Sequence, residues 1–221
     1  STLRLWDLKD GSSKVFKGHA EWILGVQLLD GERALSWSGD STLRLWNLKD
    51  GTSQVFRGHE DKISGVHLLD EERALSYSWD STLRLWDLKD GSSKVFKGHT
   101  DAISGVQLLD GERALSYSSD STLRLWNLKD GGSKVFEGHT SGINGVQLLD
   151  GERALSYSSD STLRLWNLKD GSSQVFKGHT KRILGVQLLD GERALSYSYD
   201  RIRLWNLKDG SSQVFKGHTN W

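Results

Sequence analysis

A 40-residue period runs through this chain: Glu-Arg-Ala-Leu-Ser begins at Glu32, Glu72, Glu112, Glu152 and Glu192. A repeat that regular means one supersecondary unit copied along the chain, with neighbours stacked to bury a face that no single copy can bury alone. Any function must therefore be argued for a unit that occurs five times.

Within one period, four apolar runs alternate with turn signals: Ile23–Leu29, Arg33–Ser38, Thr42–Leu48 and Ser53–Phe56, here strands A, B, C and D. No segment keeps a helical apolar period for about ten residues. Short strands with turns every eight to twelve residues or so predict an all-β sandwich, barrel or propeller, and the strict period selects a β-propeller of four-stranded antiparallel blades. Packing on both neighbours predicts that strand A is covered on both faces. Asp10-Gly11 is expected to supply the left-handed residues of a primed hairpin turn between C and D. Glu71 replaces the glycine of the A–B turn, at a cost of about 1 kcal/mol if that position is left-handed. In the last copy Trp205 follows Asp200 by five residues where the other copies have six, which predicts an irregular blade.

The boundaries follow from the period. Residues 1–221 read as a single domain, with a C–D half blade at 1–18 and complete blades at 19–58, 59–98, 99–138, 139–178 and 179–217. Residues 218–221 read as the start of a truncated repeat. A ring built from these residues alone is incomplete, so further repeats, self-association or an open edge is expected, with a fragment of a longer array preferred. With no initiator Met the chain is expected to be processed, trimmed or cut from something longer, which fits that preference.

Lys plus Arg and Asp plus Glu both number 29, which leaves no net field to draw in nucleic acid. No apolar run approaches the roughly 20 residues of a membrane span. The absence of Cys excludes disulfides and thiolate metal sites and points weakly to the cytoplasm. There is no Gly-rich phosphate loop, paired carboxylate site or basic aromatic strip, so no cofactor is expected. His67 stands where other copies have Gln and reads as a packed or surface residue, with no metal role.

The Gly-His pair, the aliphatic strand, the Asp-Gly turn and the Ser, Asp and Trp of LSYSSDSTLRLWN resemble the WD-repeat family over the whole chain. The departures are a short A–B turn without proline, Asn for the final Asp in Asn47, Asn127, Asn167 and Asn206, and the shortened last B–C turn. The resemblance implies a structural hydrogen-bond network in each blade. Its members are His19, Ser36, Asp40 and Trp46; His59, Ser76, Asp80 and Trp86; His99, Ser116, Asp120 and Trp126; His139, Ser156, Asp160 and Trp166; and His179, Ser196, Asp200 and Trp205. These sets imitate a Ser-His-Asp triad. A nucleophile is needed once per site, whereas this quartet occurs once per blade, so no catalytic residue is expected. Trp6 and His218 read as orphaned ends of the same network.

Because the copies align on each other, their differences are legible without a homologue. The C–D turn Leu-Lys-Asp-Gly is constant in all six copies, while the D–A loop, the start of A, strand B and the B–C turn vary. Those loops leave the same end of a blade, so the variation is expected on one face. The candidate partner-binding residues there are Trp22, Trp37, Lys62, Trp79, Lys181, Arg182 and Tyr199. Aromatic and cationic side chains on loops of a rigid scaffold are the usual anchors of recognition. The expected function is a non-enzymatic scaffold binding a protein or peptide. The alternatives are an engineered or excised array with no ligand, and a carbohydrate-binding propeller stacking sugars on exposed Trp22, Trp37, Trp79 and Tyr199.

Overall fold

The computed structural model describes residues 1–215, and all 22 regular elements in it are strands. The truncated repeat at 218–221, His218 included, lies outside the described residues. The chain divides into two compact units, Ser1–Gly98 and His99–Trp221.

The first unit opens with β1 (Thr2–Trp6) and β2 (Ser13–Lys17), which pair with each other as a two-stranded sheet. Then come β3 (Ile23–Leu28), β4 (Arg33–Ser38), β5 (Thr42–Asn47) and β6 (Ser53–Arg57), followed by β7 (Ile63–Leu68), β8 (Arg73–Ser78), β9 (Leu83–Asp87) and β10 (Ser93–Phe96). Each set of four forms one antiparallel sheet in sequence order, as expected of a propeller blade. The second unit holds three more such blades. They are β11 (Ile103–Leu108), β12 (Arg113–Ser118), β13 (Leu123–Asn127) and β14 (Ser133–Phe136); β15 (Ile143–Leu148), β16 (Arg153–Ser158), β17 (Thr162–Asn167) and β18 (Ser173–Lys177); and β19 (Ile183–Leu188), β20 (Arg193–Ser198), β21 (Ile202–Asn206) and β22 (Ser212–Phe215).

One rule packs successive blades inside a unit. Leu35, Leu43 and Phe56 of the first blade meet Ile63, Val66, Ala74, Trp86 and Leu88 of the second. The same eight positions recur between the third and fourth blades and between the fourth and fifth. Phe56 meets Trp86 edge-on at 5.9 Å, and Phe16 of β2 meets Trp46 in the same way at 5.8 Å. Fully burying a Leu or Phe side chain contributes about 1.5–3 kcal/mol, so the junctions, more than any single sheet, carry the stability.

Strand A is bulged in every complete blade, with the register shifting between Ile23 and Gly25 and at the equivalent places. The glycine after the bulge is obligatory for packing: a Cβ on Gly65 would collide with the ring of Tyr77, and one on Gly25 with that of Trp37.

Several expectations are corrected here. The C–D connection is a four-residue loop closed by Asp7 N–H to Ser12 O and Gly11 N–H to Asp7 O, so a primed two-residue turn is not formed. Only Gly11 is left-handed, at φ 74°, and Asp10 instead accepts the Ser12 amide on its carboxylate. The A–B turn needs no left-handed residue: Gly31 and its equivalents have ordinary φ and open space at Cβ. That turn is closed by the aspartate before it, Asp70 accepting the amides of Glu72 and Arg73 on Oδ1 and Arg73 Nε on Oδ2. Glu71 therefore fits without the expected penalty.

The last blade is regular in its pairing, β20 and β21 keeping Ala194 opposite Trp205 as Ala154 lies opposite Trp166. The deletion is absorbed in the turn. Strand A of the first blade, expected to be covered, is largely exposed at Leu24, Val26 and Leu28.

Candidate recognition face and polar quartets

Each quartet is assembled from the D–A and B–C connections, which carry the histidine and aspartate, and from strands B and C, which carry the serine and tryptophan. In the first, His19 Nδ1 lies 2.9 Å from Asp40 Oδ2 and His19 Nε2 lies 2.8 Å from Ser36 Oγ. The Trp46 indole N–H donates to the same Ser36 Oγ at 2.8 Å. The other four sets repeat this, with His–Asp and His–Ser distances of 2.7 Å. Donor and acceptor capacities give a single order: indole N–H to Ser Oγ, Ser O–H to His Nε2, His Nδ1–H to carboxylate.

The electrostatics follow from burial. Desolvation lowers the pKa of His19, His99, His139 and His179, against the opposing pull of their aspartates, and so favours the neutral imidazole. Burial pushes the Asp40 carboxyl up, but hydrogen bonds from Thr42, His19 and the Ala20 amide outweigh it and bring the pKa down to about 2. Asp80, Asp120, Asp160 and Asp200 are likewise held below the usual carboxylate range. In the last blade the threonine that binds the aspartate elsewhere is missing, and Arg201 Nε approaches Asp200 at 3.4 Å in its place.

The serines at the centre of the quartets are 0% exposed. Each Oγ is committed to an indole donor and a histidine acceptor, so this arrangement can order protons within a blade but presents no nucleophile to a substrate.

The two variable regions of each blade are tied together. Gly39 N–H donates to Trp22 O, Trp79 N–H to Lys62 O, Ser119 N–H to Ala102 O and Ser159 N–H to Gly142 O. A second serine of strand B makes the other tie: Ser78 Oγ lies within hydrogen-bond distance of the Asp61 and Lys62 carbonyls, and Ser198 Oγ of those of Lys181 and Arg182. In four blades the B–C turn carries a non-glycine residue in the left-handed region: Ser41, Ser81, Ser121 and Ser161, φ 64° to 71°. Such a backbone costs about 1–2 kcal/mol, and the shared hydrogen bonds hold it in place. The strand B serine recurs in all five copies and the turn serine in four, which is the sequence signal for both.

The candidate partner-binding residues divide by placement. Trp22 is 79% exposed, Trp79 51% and Tyr199 59%, and Lys181 and Arg182 are exposed beside the turn that carries Tyr199. Lys62 Nζ sits 3.0 Å above the Trp79 ring. Trp37, expected to be exposed, is instead half-buried: its ring covers Gly25 and packs against the core of the next blade, in the place that Tyr77 and its equivalents occupy. Its Nε1 is buried without a hydrogen-bond partner among the described residues.

The variable position at the strand A bulge also has structural work. Asn144 Nδ2 donates to Ile183 O of the next blade at 3.0 Å, while Ser159 Oγ donates to Asn144 Oδ1. His67 stacks on Tyr77 at 6.0 Å, and no cluster of metal-ligating side chains occurs among the described residues.

Three consecutive stretches, 51–87, 91–127 and 133–167, match the family model described as WD domain, G-beta repeat. No curated protein matches the chain.

Proposed function

The chain belongs to the WD-repeat family, whose repeats generally mediate protein–protein interaction as non-enzymatic scaffolds, and from this premise we propose that it binds a protein or peptide through its paired D–A and B–C loops. The observation that carries the reading is the coupling of the two variable regions. Backbone and serine hydrogen bonds weld them into one platform per blade, and the side chains that differ between copies are mounted on it. In the first unit the platforms carry Trp22 and the Lys62–Trp79 pair; in the second they carry Lys181, Arg182 and Tyr199. Large amphipathic rings beside cations on rigid loops supply contact area at low entropic cost.

The burial of every quartet serine supports a non-enzymatic reading. Sugar stacking is less well supported, because one face of Trp79 is occupied by Lys62 Nζ. We leave Trp37 out of the proposed contact set.

The test is a displayed-peptide selection on the whole chain, followed by affinity measurement on two face variants, Trp22→Ser with Trp79→Ser and Lys181→Ser with Tyr199→Ser. Loss of about tenfold or more in at least one face variant is expected, in line with aromatic hot spots. A control pair in the constant C–D turns, Lys49→Ser with Lys89→Ser, is expected to bind as the parent does. Equal affinity for all three would overturn the assignment, and a selection that enriches no peptide would favour the array with no ligand.

A further inference from the structure

The fifth blade differs from the others in the charge of its variable loops. Leaving aside the quartet aspartate common to all copies, the variable positions of the D–A loop contribute Glu21 to the first blade, Glu60, Asp61 and Lys62 to the second, Asp101 to the third and no charge to the fourth. In the fifth they contribute Lys181 and Arg182, and the B–C turn adds Arg201. The chain as a whole is neutral, so this concentration of three cations is local.

The third cation comes with the deletion in the last B–C turn. Pairing sets Ile202 opposite Tyr197 as it sets Leu123 opposite Tyr117. Arg201 therefore stands where the other blades have Thr42, Thr82, Thr122 and Thr162, and the left-handed serine is the residue lost. The shortened turn closes by Ser198 N–H to Arg201 O at 3.2 Å. In the third blade Thr122 Oγ1 donates to Asp120 Oδ1 at 2.7 Å. Arg201 instead leaves only Nε near Asp200, at 3.4 Å, and its side chain is 36% exposed.

Asp200 offsets one of these charges at most. Its carboxylate is turned inward, 6% exposed, and is held by His179 Nδ1 at 2.7 Å and by the Thr180 amide and hydroxyl at 2.9 and 3.2 Å. The same contacts bring Arg201 beside the residue that precedes Lys181. Ser198 Oγ lies 3.0 and 2.8 Å from the Lys181 and Arg182 carbonyls and holds that loop to the turn. Lys181 and Arg182 are exposed, and neither is in an ion pair among the described residues. Tyr199, 59% exposed, stands on the same turn.

We propose that this platform takes an acidic segment of a partner protein, with carboxylates against Lys181, Arg182 and Arg201 and an apolar or aromatic residue against Tyr199; the inference rests on recognition through the paired loops. Charge complementarity specifies the occupant, and the anionic or neutral loops of the other four blades would not favour it. Two of the cations are consecutive and the third is on the facing loop, an arrangement for several carboxylates spread along an extended chain. The guanidinium forks give such carboxylates directional, bidentate partners.

The experiment is fluorescence anisotropy on the full chain, with a short labelled peptide in which Asp and Glu flank a tyrosine and with its Asn and Gln analogue. The acidic peptide is expected to bind about tenfold or more tighter, the scale of a few exposed ion pairs, and the difference should shrink as salt is raised. Lys181→Glu with Arg182→Glu should abolish the preference, and Arg201→Thr, the residue of the other blades, should reduce it. Lys49→Glu with Lys89→Glu, exposed in the constant C–D turns, changes the net charge by the same amount as the first pair and should bind as the parent does. Melting temperatures confirm that each variant is folded. Equal affinity for the two peptides, an equal loss in the C–D turn pair, or equally tight binding of a single-stranded oligonucleotide of matched charge would overturn the proposal. A peptide selection that depends on Lys181 and Tyr199 but enriches no acidic residue would also overturn it and leave the recognition face standing.

Discussion

Lys62 Nζ lies 3.0 Å above the ring of Trp79, so the cation of the D–A loop and the indole of the B–C turn form one unit on the variable side of the second blade. Lys62 also gives its carbonyl to Trp79 N–H, which means that backbone and side chain make the same connection twice. Lys62→Ala should cost no more than about 1 kcal/mol, the scale of an exposed cation–π contact. Urea unfolding checks the magnitude, and peptide affinity should fall by a larger factor than stability does.

Removing a quartet member should act on stability. His99→Ala removes the acceptor of the Ser116 hydroxyl and the imidazole donor to Asp120 in a buried setting, and each unmade hydrogen bond costs about 1–3 kcal/mol. A melting temperature lower by several degrees is expected by calorimetry. A variant that kept the parent melting temperature while losing a hydrolytic activity would show that the quartet is a catalytic site.

The quartets also set a pH dependence. His19, His99, His139 and His179 have folded pKa values below the ordinary 6.5, so the unfolded chain takes up protons first as pH falls. Their contribution is complete above pH 6.5 and is lost progressively below it. Asp40 adds a second loss between its ordinary 3.8 and its folded value of about 2. Denaturation midpoints at pH 7.5, 5.5 and 3.5 should fall in that order, and a flat profile from 7.5 to 5.5 would contradict the buried neutral imidazoles.

Backbone conformation predicts opposite outcomes at two turns. Ser121 is left-handed at φ 71°, so Ser121→Gly should stabilise the third blade by up to about 1 kcal/mol. Gly111 has ordinary φ and open space at Cβ, and Gly111→Glu, which reproduces the second blade's own Glu71, should be neutral within about 0.5 kcal/mol. Thermal unfolding of the two single variants separates them.

Much of the architecture was legible because its causes are local or repeated. The strand pattern follows from alternation and turn residues, and the histidines, serines, aspartates and tryptophans of the quartets stood out by recurring at one spacing. The left-handed serines were not legible because serine carries no conformational signature of its own; only the Asp40-type turn, whose carboxylate accepts the Thr42 amide and hydroxyl, holds it there. Gly31 invited the opposite error, since a glycine after aspartate looks like a left-handed site although Asp30 closes the turn by itself.

The amino-acid order by itself determined the four-stranded unit, its copy number and the membership of the polar quartets, because hydrophobic alternation and turn chemistry act over a few residues and the period multiplied their signal. Tertiary structure alone decided which chemically similar side chains are free to meet a partner. Trp37 and Trp79 stand two positions apart in the repeat frame, yet one covers a glycine in a blade junction and the other holds a lysine in the open. Val26 and Val66 share one repeat position and differ because a strand B leucine lies across from Val66 alone. Burial depends on what packs opposite a residue, and that neighbour comes from elsewhere in the chain.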